Sequence, residues 1–172
     1  ELARHCTAVT TEFENVPADS LQALAQHLRV APAAQAVRIC QHRAREKAHF
    51  VASGVPCAPY AVIESEADLA AVPEALLPGV LKTSQLGYDG KGQCRVADRA
   101  ELARAWRQSL GAAPCVLEAL LPIRCELSVI VARGADGALV HLPVQQNLHR
   151  EGILAVTQVP APDIDTAPAE HA

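Results

Sequence analysis

Apolar positions recur every three or four residues in several parts of the chain, and this spacing predicts helices with one buried face. The clearest example is the stripe of Leu21, Leu24 and Leu28, which predicts a helix that begins at Pro17 and ends before Pro32. Three more helices are predicted from their start and stop signals. They run from about 35 to 53, from Ser65 through Leu69, and from Asp98 through Trp106 to Gly111.

Short apolar runs bounded by glycine, proline or polar residues predict strands between these helices. The dipeptide Asp136-Gly137 lies between two of these runs and predicts a hairpin turn. Strands and helices are therefore mixed, with an antiparallel portion in the second half, and the fold class is α/β to α+β. The predicted strands cover 8–11, 60–63, 79–82, 93–96, 115–118, 126–133, 138–144 and 153–159.

Composition and charge exclude several classes of function. Hydrophobic residues make up 50% of the 172 positions, so the chain can form a core and is not expected to be disordered. The net charge is −4 and aromatic residues make up 3%, so neither a basic surface nor many stacking rings are available for nucleic acid. No apolar run approaches the roughly 20 residues that span a bilayer, so no membrane partner is expected.

Two further features bear on the origin of the chain. It contains no Met and begins at Glu1 inside an apparent helix, so it is expected to be an internal fragment of a longer protein. Its six cysteines form no C-x-x-C pair, and they are expected to be buried, reduced thiols of a cytosolic protein rather than disulfides or a zinc site. They are Cys6, Cys40, Cys57, Cys94, Cys115 and Cys125.

The segment G-Y-D-G-K-G-Q at 87–93 carries the most chemistry. Three glycines in six positions allow backbone N–H groups to approach an anion, and Lys91 adds a positive charge within the loop. The spacing matches neither the P-loop nor G-x-G-x-x-G, so the loop alone is compatible with a mobile hairpin tip. Lys82 favours phosphate binding instead, because a lysine at the end of an apolar strand is costly without a partner.

Two acids and a histidine follow in the second half of the chain. Glu118 ends an apolar strand, and a backbone segment such as 118–121 can bind an adenine edge while a nearby acid, such as Glu126, holds the ribose. For each acid, the alternative is an ordinary solvated strand end. His149, with Asn147, is predicted to follow a strand, and a single histidine is more often structural than catalytic.

Taken in order, six segments resemble one group of ATP-grasp enzymes, the N5-carboxyaminoimidazole ribonucleotide synthetases of purine biosynthesis. The resemblance covers nearly the whole chain, and the combination is far more specific than any one motif. The segments are T-E-F-E-N-V-P (11–17), R-A-R-E-K (43–47), L-K-T-S-Q-L-G-Y-D-G-K-G-Q (81–93), V-L-E-A-L (116–120), C-E-L-S-V-I-V-A-R (125–133) and Q-N-L-H-R-E-G-I-L (146–154).

The resemblance implies a partial ATP-grasp fold and a specific reaction. Residues 1–32 are expected to be the end of a pre-ATP-grasp domain, and 33–172 part of the ATP-grasp domain, with a lid at about 56–120. The complete enzyme is expected to be a cytoplasmic ligase, commonly a homodimer. It would use ATP and bicarbonate to carboxylate 5-aminoimidazole ribonucleotide, with ADP and phosphate as the other products.

The resemblance also implies roles for individual residues. Arg43 and Lys82 are expected to contact the ATP phosphates, 87–93 to fold over them, and Glu126 and His149 to lie beside the ribose and the nucleotide. The full set of expected ATP-binding residues is Arg43, Lys82, Gly87, Tyr88, Asp89, Gly90, Lys91, Gly92, Gln93, Glu118, Ala119, Leu120, Leu121, Glu126 and His149. Three of these residues, the catalytic candidates, are expected to contact the ribonucleotide as well: Tyr88, Asp89 and Lys91. Glu12 or Glu14 is expected to contact the ribonucleotide alone.

The sequence departs from the family pattern at two places. His42 stands where the family usually has Asp, which is expected to weaken a helix cap or ion pair. The magnesium ligands of the family would lie beyond Ala172, so this chain is predicted to have no metal site and to be inactive alone. Two alternatives remain, namely another ATP-grasp carboxylate-amine ligase or carboxylase, and an inactive nucleotide-binding fragment.

Overall fold

The computed structural model describes residues 1–87, 91–150, 152–162 and 164, and it divides into two compact units, Glu1–Leu120 and Leu121–Ala172. The helices of the first unit are α1 (Leu2–His5), α2 (Ala18–Leu24), α3 (Ala34–Cys40), α4 (Arg43–Ala52), α5 (Glu66–Ala71) and α6 (Arg99–Arg104). Its strands are β1 (Ala8–Val9), β2 (Arg29–Val30), β3 (Tyr60–Ile63), β4 (Gly79–Thr83), β5 (Gln93–Val96) and β6 (Cys115–Ala119).

The predicted leucine helix is shorter than its stripe suggested. α2 ends at Leu24, and Arg29–Val30 instead forms a strand that pairs in parallel with Ala8–Val9. The prediction that Leu28 belongs to the helix is therefore wrong, because pairing with β1 fixes the chain in an extended conformation from the next residue, Arg29. A small core holds this region together through Ala18, Leu21, Ala34 and Val37.

The helix predicted from 35 to 53 is divided into α3 and α4. At the break, the Gln41 side chain donates hydrogen bonds of 2.6 Å to the carbonyl oxygens of Glu14 and Val16. His42 is extended (φ −135°, ψ 103°), and its side chain makes no cap hydrogen bond to α4, as expected from the absence of Asp. The Arg43 N–H donates to the Ser84 carbonyl at 2.9 Å, so the break attaches the start of α4 to the end of β4.

A four-stranded antiparallel sheet with the order β3-β6-β4-β5 is the centre of the first unit. Because successive side chains on a strand point to opposite faces, the register determines which residues share the core. Ile63, Leu81, Cys115 and Leu117 are fully buried on one face, with side chains of α5 and α6 in the same core cluster. The other face carries Tyr60, Lys82 and Glu118.

Both helices on this sheet begin as predicted, with a polar side chain at the cap. Ser65 accepts a hydrogen bond from the Asp68 N–H, and Asp98 accepts one from the Glu101 N–H. α6 continues as a π-helical turn, Ala105–Ser109, close to the predicted stop at Gly111. A 3₁₀ turn at Glu74–Leu76 precedes β4.

The second unit is built from short strands. A three-stranded antiparallel sheet has the order β11-β10-β7, and β8 and β9 form a hairpin. Gly137, at φ +85°, allows the predicted hairpin turn. The strands are β7 (Glu126–Ser128), β8 (Val131–Arg133), β9 (Leu139–His141), β10 (Gln145–Arg150) and β11 (Ile153–Gln158).

Two predictions in the second unit are wrong. The segment 126–133 is two strands rather than one, because β7 pairs with β10 whereas β8 pairs with β9. Asn147 and His149 lie within β10 rather than after a strand, and Pro143 separates β10 from β9 because proline has no N–H for a ladder.

The six cysteines are free thiols, but the expectation that they are buried holds only for Cys115. Burial raises the pKa of that thiol to about 11, with a smaller contribution from Cys94. The remaining five are partly or fully exposed. They are Cys6 and Cys40, which are exposed, and Cys57, Cys94 and Cys125, which are intermediate.

Candidate functional site

A lysine and a glutamate meet on the face of the four-stranded sheet that points away from the core. Lys82 lies opposite Val116, and Glu118 lies two residues farther along β6, so the two side chains are diagonal neighbours on one face. The Lys82 Nζ donates a hydrogen bond of 3.0 Å to Glu118 Oε2. We predicted from the sequence that the lysine at this strand end needs a partner, and that partner is Glu118.

A second lysine, Lys47 of α4, completes the cluster. Its Nζ lies 3.4 Å from Glu118 Oε1 and 5.2 Å from the centroid of the Tyr60 ring, within reach of a cation–π interaction. The side chains of Lys47, Glu118 and Lys82 are 11%, 14% and 22% exposed, so solvent screens the three charges less than on an open surface. We call Lys47, Glu118 and Lys82 the charge triad.

The electrostatics of the charge triad favour an anionic ligand. Burial alone raises the pKa of the Glu118 carboxyl, but the hydrogen bond from Lys82 and the charges of Lys82 and Lys47 outweigh it and lower the pKa. Glu118 is therefore ionised at neutral pH and balances only one of the two ammonium groups. The triad carries one net positive charge, which can bind a phosphate oxygen more strongly than it would in bulk water.

The described part of the glycine loop packs against the end of β4. The Thr83 N–H donates to the Gly92 carbonyl at 2.8 Å. Gly92 has φ +73°, and a Cβ there would lie 2.7 Å from Thr83 Oγ1, so only glycine fits without strain. Gly87 lies near the same threonine and near Arg43. The predicted site residues Tyr88, Asp89 and Gly90 lie outside the described residues.

A cleft of about 440 Å³ lies beside this loop within the first unit. Glu14 is among the residues that line it and Glu12 is not, which separates two candidates that the sequence left equivalent. Arg43 Nε and Ser84 Oγ are buried and make no hydrogen bond within the described part of the chain. The lining residues are Phe13, Glu14, Asn15, Cys40, Gln41, Arg43, Glu46, Thr83, Ser84, Gln85, Leu86 and Gly87.

The segment 118–121, which the sequence suggested for the adenine edge, uses part of its backbone within the fold. The Ala119 N–H donates to the Pro59 carbonyl at 2.9 Å, and the Leu120 N–H donates to the Pro78 carbonyl at 3.0 Å. While these bonds persist, neither N–H group can bind an adenine edge. Contacts from this segment to a base would have to come from carbonyl groups or from Leu121.

The second unit has a polar sheet face of its own. His149 Nδ1 contacts the Glu126 carboxylate. Asn147 donates to the Ser128 hydroxyl at 2.9 Å and accepts from the Thr157 hydroxyl at 3.0 Å. The register places these side chains on one face because Asn147 lies opposite both Glu126 and Thr157. This polar face can offer hydrogen-bond donors and acceptors to a sugar.

Sequence reasoning missed several of these residues. Lys47 received no role, although it stands four positions after Arg43 in R-A-R-E-K, the spacing that places two side chains on one helix face. Ser128 and Thr157 carry no local signal, since only strand pairing brings them to Asn147. Among the residues that the structure describes, no three His, Cys, Asp or Glu side chains form a group that could hold a metal ion.

The chain is similar to known proteins over most of its length. A family model described as the ATP-grasp domain matches residues 48–171, and one described as the ribonucleotide synthetase preATP-grasp domain matches residues 1–41. The N5-carboxyaminoimidazole ribonucleotide synthase of Pseudomonas aeruginosa is 40% identical over 158 residues, which are 91% of this chain and 44% of that protein. No helix in the described ranges is long and apolar enough to cross a membrane.

Two solved structures are similar over almost the entire chain. The N5-carboxyaminoimidazole synthetase of Staphylococcus aureus, complexed with ADP, has a TM-score of 0.90 and 33% identity, over 99% of this chain and 46% of that one. The Aspergillus clavatus enzyme, in complex with ADP and 5-aminoimidazole ribonucleotide, has a TM-score of 0.87 and 28% identity, over 99% and 44%. The chain thus spans less than half the length of the relatives it matches.

Proposed function

The chain belongs to the ATP-grasp family, and on this basis we propose that it supplies the nucleotide-binding part of an N5-carboxyaminoimidazole ribonucleotide synthase. The complete enzyme carboxylates the amine of 5-aminoimidazole ribonucleotide with bicarbonate and ATP, and it releases ADP and phosphate. The relatives named above support this reaction. The observation in the fold that carries the proposal is the net positive charge triad beside the glycine loop.

In this function, the first unit positions the ATP phosphates. Lys82 donates to a phosphate oxygen, and Arg43, which begins α4 next to the loop, supplies a second cation. Phosphoryl transfer to bicarbonate depends on positioning and charge neutralisation rather than on a protein nucleophile. The loop at 87–93, when closed over the phosphates, excludes water that would hydrolyse the carboxyphosphate product.

The ribonucleotide is proposed to bind in the cleft of the first unit. Glu14 rather than Glu12 is the acid we assign to it, because Glu14 lines the cleft together with Arg43. Tyr88, Asp89 and Lys91 are retained as substrate contacts on the strength of the family motif. A carboxylate and a guanidinium together can orient an amine and an anion at one site.

The second unit is proposed to hold the sugar of the nucleotide. Glu126 is a hydrogen-bond acceptor for ribose hydroxyl groups, and its contact with His149 keeps both side chains on the same polar face. Gln93, Ala119, Leu120 and Leu121 are retained as the remaining nucleotide contacts. Asn147 orders this face through its two hydrogen bonds.

Several finer features complete the proposal. A sheet with its two packed helices, all within 60–119, supports a lid at about 56–120, preceded by residues 1–32 as the end of the pre-ATP-grasp domain.

We propose a cytoplasmic enzyme that works with Mg²⁺ and forms a homodimer when complete. The described residues offer no magnesium site of their own, so no step of the chemistry is assigned to the metal here.

A chimaera tests the function directly. The matched segment of the Pseudomonas aeruginosa synthase is replaced by this chain, and phosphate release from ATP and bicarbonate is measured with and without 5-aminoimidazole ribonucleotide. We expect release that depends on the ribonucleotide and is lost in Lys82→Ala. Release that is indifferent to the ribonucleotide would identify a ligase with another acceptor. ADP binding without release would identify an inactive nucleotide-binding fragment.

A further inference from the structure

Lys47 is buried in the charge triad but has no role in the chemistry described so far. An ammonium group with an 11% exposed side chain is costly unless it has partners, and its partners are Glu118 Oε1 and the face of the Tyr60 ring. It lies one helical turn after Arg43, so α4 presents one cation to the cleft and another to the sheet. Lys47 therefore links α4 to Glu118.

Glu118 has two lysine partners, and nucleotide binding would take one of them away. Lys82 is its closer partner, at 3.0 Å against 3.4 Å for Lys47. If Lys82 turns to a phosphate oxygen, Glu118 loses this hydrogen bond inside a half-buried site. A buried carboxylate without a cation is strongly unfavourable, and it also repels the incoming phosphate. A second cation that stays with Glu118 removes both penalties.

We propose that Lys47 is a positioning residue that holds the Glu118 carboxylate when Lys82 leaves it for a phosphate oxygen. The inference rests on the proposed nucleotide site. Lys47 acts through Glu118, and it favours the state in which Lys82 is free to bind phosphate. Without Lys47, Glu118 competes with the phosphate for Lys82.

The test is the binding of ADP and of adenosine to this chain, measured by titration calorimetry. We expect Lys47→Met to weaken ADP binding by about fivefold to thirtyfold, since a charge-assisted contact is lost. Adenosine binding should change by less than about twofold, since adenosine has no phosphate for Lys82. Lys47→Arg should restore most of the ADP affinity. Arg45→Met is the matched control, because it removes an exposed positive charge from the same helix.

A double-mutant cycle separates the role through Glu118 from a simple loss of charge. In the Glu118→Gln background, Lys82 has no carboxylate to leave, so Lys47→Met should then weaken ADP binding by less than about threefold. Equal effects of Lys47→Met in both backgrounds, or equal effects on ADP and adenosine, would overturn this inference and leave the proposed function intact. Lys47→Gln replaces Lys47→Met if the latter does not fold.

ADP binding by the unsubstituted chain distinguishes a failure of the proposed function from a failure of the inference about Lys47. If it does not bind ADP at all, the proposed function is overturned, and the inference about Lys47 falls with it. If it binds ADP and the cycle shows no coupling, only the inference is wrong.

Discussion

Glu118 shows how single residues set the charge of the proposed nucleotide site. Its carboxylate lies between Lys82 and Lys47, and their combined attraction exceeds the effect of burial on its pKa. Sequence alone placed Lys82 and Glu118 at strand ends and required a partner for the lysine. It could not pair them, because they are 36 positions apart and only the β4–β6 register makes them diagonal neighbours.

The proposed role of Lys82 in binding phosphate leads to the first prediction. Lys82→Ala should weaken ADP binding by roughly tenfold to a hundredfold, because one charge-assisted hydrogen bond to phosphate is lost. Calorimetric titration of the chain measures the change. Arg104→Ala is the control, since Arg104 is largely exposed on α6 and should leave the affinity unchanged. An ADP affinity in Lys82→Ala equal to that of the unsubstituted chain would remove Lys82 from the site.

The lowered pKa of Glu118 leads to a second prediction, on the pH dependence of stability. A carboxyl whose pKa is lower in the folded protein stabilises the fold above the ordinary glutamate value of 4.5, and this contribution is lost as the pH falls through the folded pKa. Glu118→Gln removes the carboxylate that neutralises the poorly exposed ammonium groups of Lys47 and Lys82, and it should reduce the free energy of unfolding at pH 7 by about 1–3 kcal/mol.

Urea denaturation of both proteins between pH 7 and pH 3 measures this effect. The difference in unfolding free energy should be constant at neutral pH and should shrink below about pH 4.5 as Glu118 takes up a proton. Glu66 and Asp68 also have lowered pKa values, but they are present in both proteins and cancel in the difference. A difference that stays constant down to pH 3 would contradict the assignment.

At the scale of elements, the end of β4 organises the first unit. The Thr83 N–H donates to the Gly92 carbonyl of the glycine loop, and the Ser84 carbonyl accepts from the Arg43 N–H at the start of α4. The sequence predicted both β4 and the loop. It did not predict that the helix at 35–53 breaks at Gln41, because the hydrogen-bond acceptors for that side chain lie 25 and 27 residues away.

The close approach of the loop to Thr83 predicts different costs for two glycine substitutions. Gly92→Ala should reduce the free energy of unfolding by about 2–4 kcal/mol, because positive-φ strain is added to a clash with Thr83. Gly54→Ala should cost only about 1 kcal/mol, since its φ of +74° is similar but nothing lies within 4 Å of an added Cβ. Urea denaturation of both variants measures these losses of unfolding free energy. Equal losses in the two variants would contradict the close packing of the loop against Thr83.

At the scale of the whole molecule, the two units differ in how much apolar surface they bury. The core of the first unit contains fully buried side chains such as Leu81 and Leu117. Among the described residues of 121–172, no apolar side chain is buried, and many are more than half exposed, including Ile123, Val140 and Leu148. Because burial of apolar area is the main source of stability, the second unit should be the less stable one.

Hydrogen exchange measured by mass spectrometry tests this difference. Amides of 145–150 and 152–158 should exchange on the order of a hundredfold faster than those of 79–83 and 115–119, because local opening exposes little buried surface in the described part of the second unit. Equal protection in the two sets would show that the second unit has a stabilising contribution other than its own core.

The sequence by itself determined the kinds of elements, the two helix caps, the hairpin at Asp136-Gly137, the glycine loop and the family. These features depend on local spacing and on backbone preferences, which are readable within a few residues. Only the tertiary structure decided the break between α3 and α4, the strand at 145–150, the position of Glu14 rather than Glu12 in the lining of the cleft, and the pairing of Glu118 with Lys47. Each of these depends on a partner distant in the sequence, and strand register and helix packing set which distant side chains meet.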